Sequence, residues 1–273
     1  MSATSDSSPV AVVVGASDGI GLGLSRALVA LGWRVLLAAR RGDMLAAAVA
    51  SLPAGRAAAH VVDASSPGGA EAAASAAEAA FGRLDAFVNC VGRGISKSVL
   101  VCDADDVAVM VAANVLPALF GMQAASRRFT AARRGHIVNV SSLLGKVPAL
   151  APPRALYSAS KAALNALSSA LRAELAAGGL DRVFCTTVLP GVVHTAFAAN
   201  ALAAPPGASS AAMPGQSVDE AVAPIAALMA AVFAGATPPA ELYTQGEPHR
   251  EMALRYAADV AAFESGGARH GRP

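Results

Sequence analysis

Charged side chains are scarce in this chain. Only 15% of its 273 residues are Asp, Glu, Lys or Arg, and they nearly cancel, to a formal net charge of +2. The two signs are scattered with no basic stripe, and aromatic residues make up 4%. That argues against nucleic acid as a partner, since such surfaces combine clustered cations with stacking rings. Cysteine is as sparse: Cys90, Cys102 and Cys185 are odd in number, far apart and without metal-ligand spacing. No His/Cys cluster offers a metal site, so none is expected, and a reducing cytoplasm fits three isolated thiols. A secretory signal is missing too. Residues 1–8 are polar, lack a basic start and read as a disordered N-terminus. One uncharged stretch, residues 221–240, is long enough on length alone to cross a bilayer. It is built largely on alanine, contains Pro224 and Gly235 and ends in Pro238-Pro239. It therefore reads as a helix packed on a sheet, in a protein with no membrane partner.

What the chain has in abundance is apolar residues, 55% of the total. That suffices for one α/β domain with a large core, and no compositional break argues for two. Strand-like runs at 10–14, 33–38, 57–62, 84–88, 136–140 and 183–189 alternate with helical runs at 20–31, 44–52, 70–81, 105–131 and 157–177. The strands are continuously apolar, which implies burial on both faces. The expected fold is α/β, a Rossmann-type doubly wound parallel sheet of about seven strands with helices on both faces. Ligands of such sheets bind at the carboxyl ends of the strands, where strand order reverses. The domain is expected over 9–246, with a small-residue, Pro- and Ser-rich loop or lid at about 196–216. A helix and a short strand at 241–244 follow, then a helical tail over 247–273.

The first strand runs into Gly15-Ala-Ser-Asp-Gly19-Ile-Gly21 and a helix follows at once. Glycines let a backbone approach a pyrophosphate, and a helix N-terminus favours negative charge. The spacing is G-x-x-x-G-x-G rather than G-x-G-x-x-G. Arg40 and Arg41 stand just past the second strand, where an acid would read the ribose of NAD. Their guanidiniums suit a 2′-phosphate, which favours NADP(H) and leaves NAD(H) possible. Asp18 faces the same region and would repel that phosphate.

Tyr157 and Lys161 lie four residues apart in a run that favours a helix, so they share one face. An ammonium near a phenol stabilises phenolate and is expected to lower a pKa of about 10. Such a tyrosine can exchange a proton near neutral pH, as general acid or base.

Together these stretches resemble the short-chain dehydrogenase/reductase family over about residues 9–245. Residues 14–21 are similar to its T-G-x-x-x-G-I-G turn, with Val14 in place of threonine. The resemblance implies cofactor contacts at Gly15, Ser17, Asp18, Gly19, Ile20 and Gly21. Asp63 matches the acid that contacts the adenine amino group. Asn89-Cys-Val-Gly92 stands where the family has N-N-A-G, near adenosine and the nicotinamide ribose. Asn114 corresponds to the helix asparagine that supports the lysine through water, and Ser142 to the catalytic serine. Residues 189–195 resemble P-G-x-V-x-T, implying cofactor contacts at Pro190, Gly191, Val193 and Thr195. The implied tetrad is Asn114, Ser142, Tyr157 and Lys161, and Tyr157 and Lys161 also touch the cofactor.

By that resemblance the activity is hydride transfer between a nicotinamide cofactor and a ketone or secondary alcohol. Ser142 would orient the carbonyl, Tyr157 would exchange the proton, and Lys161 would bind the ribose. Leu143, Leu144, Val147, Leu150, Val192 and Phe197 are the pocket candidates, so an uncharged, apolar substrate is expected; Arg93 and Arg154 are the nearby cations. Pairing through the two long helices would give a homodimer or a homotetramer. His194 is expected to point away from the nicotinamide, and Cys90 to be a packing residue. Two alternatives are a nucleotide-binding redox sensor or scaffold without turnover, and a nucleotide-sugar epimerase or dehydratase. The intact tetrad disfavours the first; the glycine spacing and lack of a large second domain disfavour the second.

Overall fold

A computed structural model of the chain describes residues 7–211 and 213–270, the last five by backbone alone. The disordered N-terminus expected over residues 1–8 therefore lies, for residues 1–6, outside the described residues. Seven strands form one parallel sheet in the order β3-β2-β1-β4-β5-β6-β7. They are β1 (Val10–Val14), β2 (Arg34–Ala39), β3 (Ala57–Val61), β4 (Ala86–Asn89), β5 (Gly135–Val140), β6 (Val183–Leu189) and β7 (Glu241–Tyr243). Strand order reverses between β1 and β4, which opens a crevice at their carboxyl ends.

Successive strand residues feed two cores. Val10, Val12, Val14, Phe87 and Ile137 pack with α3 (Gly69–Phe81), α5 (Leu116–Ala132) and α6 (Ala155–Ala177). Ala11, Val13, Val35, Leu37, Val88 and Val138 face the other way, onto α1 (Gly19–Ala30), α2 (Gly42–Ala50) and α7 (Val218–Phe233). Burial on both sides is what a continuous β-branched run encodes. The edge strand β3 departs from that pattern: Ala57, Ala58 and His60 are only partly covered, and Ala59 and Val61 are exposed.

A polar thread crosses the first core. Asn89 on β4 lies opposite Asn139 on β5 and donates to its Oδ1 at 2.7 Å. Asn139 in turn donates to Ser168 Oγ on α6 at 2.9 Å.

The single helix expected over 105–131 is two. The first, α4 (Ala104–Asn114), is capped by an Asp103–Asp106 box and ends before Val115; α5 begins at Leu116. Pro117 explains the break, because it has no N–H for the carbonyl of Ala113. Among the described residues, 104–132 is the one helical run long and apolar enough to cross a membrane by length and composition. Its inward residues Ala118, Met122, Ala125 and Phe129 are core residues of the sheet. The uncharged stretch weighed from the sequence is mostly α7, whose Val222, Ile225 and Met229 pack on the other face.

The segment 196–216 is tied down rather than free. Leu202 pairs with Ile95 through Ser96 N–H to Leu202 O (2.9 Å) and Leu202 N–H to Gly94 O (2.8 Å). Gln216 pairs with Val193, and its carboxamide is held by Thr244 at the end of β7. Beyond β7, α8 (Glu247–Ala258) and α9 (Val260–His270) turn back onto the domain. Ala253, Met252, Tyr256 and Phe263 cluster with Leu143 and Val147.

Candidate active site

The loops after β1, β4, β5 and β6 meet at the carboxyl edge of the sheet. Gly15 follows β1 with φ +88°, and a β-carbon there would stand 2.6 Å from the carbonyl oxygen of Cys90. Only glycine lets the two loops approach so closely. Asp18 caps α1, its Oδ1 accepting from Gly19 N–H at 2.7 Å. Ile20 and Gly21 lie in the first turn of α1. Thr195, from the loop after β6, stands over Gly19, and its hydroxyl accepts from Phe197 N–H at 3.2 Å. Clefts of about 520 and 220 Å³ flank this turn, the first bounded by Asp18, Gly19, Thr195 and Asp219, the second by Ser17, Arg26 and Met44.

On the β2 side, Arg41 reaches the glycine turn and donates to Ser17 Oγ at 2.9 Å. Arg40 is close enough to Asp63 to favour its charged form. The Asp63 carboxyl is held below its usual range, first by the Ser65 hydroxyl and next by the Ser65 N–H, both donating to it. Asn89 is turned into the core by its bond to Asn139, so its side chain does not face the crevice.

Asn114, Lys161 and Gly92 converge. A β-carbon on Gly92 would lie 3.2 Å from Asn114 Oδ1 and 3.3 Å from Lys161 Nζ. Asn114 is 1% exposed, and its carboxamide clamps the backbone of Arg93, accepting from its N–H at 2.8 Å and donating to its C=O at 3.0 Å. It also donates to Ser160, whose hydroxyl donates to the carbonyl of Tyr157. Lys161 Nζ donates to Val140 O at 3.0 Å and lies 5.9 Å from the centre of the Tyr157 ring.

Tyr157 and Ser142 are each 7% exposed and close enough for the serine hydroxyl to act on the phenol, while Ser142 Oγ accepts from Leu144 N–H. The ring of Phe197 stands 5.5 Å from that of Tyr157 at 59°. The expectation of a lowered phenol pKa is overturned for the protein without cofactor. Burial pushes Tyr157 up to about 12, against the opposing influence of the Ser142 hydroxyl and the nearby Arg154 charge. The same burial pushes Lys161 down to about 8. Removal from water is the leading cause of both shifts. Cys90 is driven up to about 12 by burial, which suits a packing thiol.

The pocket residues divide. Leu144 and Phe197 share a cluster with Tyr157, but Leu143 and Val147 turn onto the C-terminal helices. Leu150 is 44% exposed, on the surface, so it and Leu143 are removed from the expected pocket wall. Val192 and Val193 are engaged through their backbone with Gln216. Pro190 O accepts from Leu143 N–H, which ties the β6 loop to the serine turn, and Gly191 lies under Gln245 and His249. His194 is directed at the carbonyl of Met213. Sequence reasoning missed Ile95, Met110 and Leu202, which complete the Tyr157 cluster. Met110 was findable, one helical turn before Asn114; Leu202 was not, because a backbone bridge brings it in.

This is a doubly wound α/β protein with a buried Ser–Tyr–Lys group at the sheet's carboxyl edge. The family model described as short chain dehydrogenase matches residues 9–205. The chain belongs to that family. It is similar to an uncharacterized oxidoreductase of Staphylococcus haemolyticus, 32% identical over 188 residues that cover 68% of this chain and 78% of that one. A second, from Staphylococcus aureus strain N315, is 30% identical over 70% of this chain and 80% of its own. Among solved structures, a short chain dehydrogenase from Burkholderia cenocepacia in complex with NADP superposes with a TM-score of 0.74 at 30% identity, covering 97% of this chain and 98% of that one. One from Burkholderia phymatum in complex with NAD has a TM-score of 0.79 at 23% identity, covers 94% and 96%, and speaks for the fold.

Proposed function

We propose that the protein is an NADP(H)-dependent oxidoreductase acting on a ketone or the matching secondary alcohol. The observation that carries this reading is the convergence of buried Ser142, Tyr157 and Lys161 beside Gly92 and Asn114. The crevice suits a dinucleotide: Gly15 leaves room for close backbone approach, Asp63 stands past β3, and Lys161 Nζ borders Gly92. Pro190, Gly191, Val193 and Thr195 would hold the nicotinamide end. The cofactor, when bound, supplies or accepts the hydride. Ser142 donates to the substrate oxygen and fixes its orientation, and Tyr157 gives that oxygen a proton in reduction or removes it in oxidation. Lys161 holds positive charge beside the phenol, and Asn114 fixes the Gly92–Arg93 backbone against α6.

Arg41, just past β2, and Ser17, in the glycine turn after β1, supply neighbouring donors, which supports NADP(H) over NAD(H). Asp18 spends one carboxylate oxygen on its own helix cap, which weakens its repulsion of a 2′-phosphate. Leu144, Phe197, Ile95 and Met110 favour an apolar substrate. Arg154 favours a second reading, a substrate with a carboxylate: among the described residues no acid forms an ion pair with it, and its charge reaches Tyr157. For assembly, the exposed Val107 and Val111 on α4 support a homodimer or homotetramer built on the α4–α5 run and α6.

The test is NADPH and NADH oxidation across aliphatic, aromatic, steroid and carboxylated ketones. Turnover with NADPH that Tyr157→Phe abolishes while nucleotide binding persists is the expected result. Nucleotide binding with no turnover on any ketone or alcohol would favour a sensor or scaffold instead.

A further inference from the structure

Residues 140–145 form the turn that presents Ser142, and two side chains of α6 hold it. One is Lys161, through the carbonyl of Val140. The other is Asn165, one helical turn further on and on the same face as Tyr157 and Lys161. Its carboxamide grips both ends of the turn. Asn165 Oδ1 accepts from Ser141 Oγ at 2.6 Å, and Nδ2 donates to the carbonyl of Gly145 at 3.1 Å. Contact there is tight: a β-carbon on Gly145 would stand 2.8 Å from Asn165 Nδ2 and 2.9 Å from the carbonyl carbon of Lys161. Ser141 has a second, longer acceptor in the Lys161 carbonyl at 3.2 Å. Gly145 O is thus the group that loses most if the carboxamide is removed.

We propose that Asn165 is a positioning residue for the reaction: its carboxamide sets the distance between the Ser142 hydroxyl and the Tyr157 phenol by locking the serine turn to α6. The proposal rests on the reading of Ser142 and Tyr157 as the reacting pair. The task needs one donor and one acceptor on a single planar group. Aspartate offers no donor to Gly145 O and sets two oxygens against each other, and alanine offers neither. Released from Asn165, the turn shifts away from the phenol, and shifts of about 1 Å cost on the order of 100-fold in rate. The Ser142 hydroxyl is also the main influence opposing burial on the phenol, so moving it away shifts the proton-transfer limb of the rate profile to higher pH.

The experiment measures kcat, KM and the pH profile of kcat for Asn165→Ala, Asn165→Asp, Ser141→Ala and the double alanine variant, with a ketone from the panel above. NADPH affinity is measured separately by fluorescence titration. Expected are a fall in kcat of about 10- to 100-fold for Asn165→Ala, a basic limb displaced upward, NADPH affinity within about twofold, and sub-additive losses in the Ser141/Asn165 cycle. Where Asn165→Ala does not fold, Ser141→Ala, which deletes one oxygen, carries the same kinetic and pH readouts. Unchanged kcat, or a loss that leaves the pH profile in place and adds fully to that of Ser141→Ala, overturns the proposal. Tyr157→Phe with retained turnover would overturn the underlying reading instead.

Discussion

A guanidinium that bridges two loops reports on what those loops are built to hold. Arg41 and Ser17 are 24 residues apart, yet join at 2.9 Å across the mouth of the crevice. Arg41→Ala is expected to raise KM for NADPH by about 10-fold, the scale of one charge-assisted contact of about 1.4 kcal/mol. KM for NADH should barely move. Steady-state kinetics with both nucleotides check this, and equal effects on the two would remove Arg41 from phosphate recognition. At this scale Tyr157 and Lys161 stood out in the sequence by residue type and spacing, and Asn114 and Ser142 by resemblance to the family; the fold brings the four near one another. The direction of the Tyr157 shift was not legible. Desolvation depends on how completely Phe197, Ile95 and Met110 cover the ring, which spacing does not encode.

Among the elements, the β5–β6 pair carries a titratable group far from the chemistry. His136 is 4% exposed, meets Thr186 Oγ1 through Nε2 and leaves Nδ1 without a partner, so burial pushes its pKa down to about 4. The unfolded chain, with histidine near 6.5, then binds more protons than the native state between pH 6.5 and 4. Stability contributed here is present above that window and is lost as pH falls through it. By pH 5 the loss is about 2 kcal/mol. Urea midpoints at pH 7 and pH 5 measure it, and His136→Asn should retain much less of the difference; an identical pH dependence in that variant would rule the residue out.

Strands and helices were readable from continuous apolar runs and alanine-rich segments, because both patterns follow directly from burial. The break at Val115 was written only in Pro117, inside a run otherwise helical throughout. The anchoring of 196–216 could not be read, since main-chain bonds at Leu202 and Gln216 supply it whatever the side chains are.

For the molecule as a whole, the C-terminal helices are part of the domain. The family model ends at residue 205, but Ala253, Met252, Tyr256 and Phe263 cover Leu143 and Val147, next to Ser142, and Lys146 pairs with Glu241 at 2.5 Å. Ala253→Asp places a charge in that seam, at a cost of several kcal/mol if the helix stays docked. The expected response is undocking: trypsin cleaves at Arg250 and Arg255, and kcat falls about 10-fold as the serine turn loses its cover. Cleavage at those arginines with turnover unchanged would show that the tail is dispensable.

The asparagine thread from Asn89 through Asn139 to Ser168 makes the alignment of the middle strands all-or-none. Sliding β5 by one residue along β4 would turn Asn139 to the other face and leave Asn89 without its partner, at about 1–3 kcal/mol for each orphaned group. Misthreaded sheets are thereby rejected during folding, and the loops that carry Gly92 and Ser142 arrive in a single relative phase.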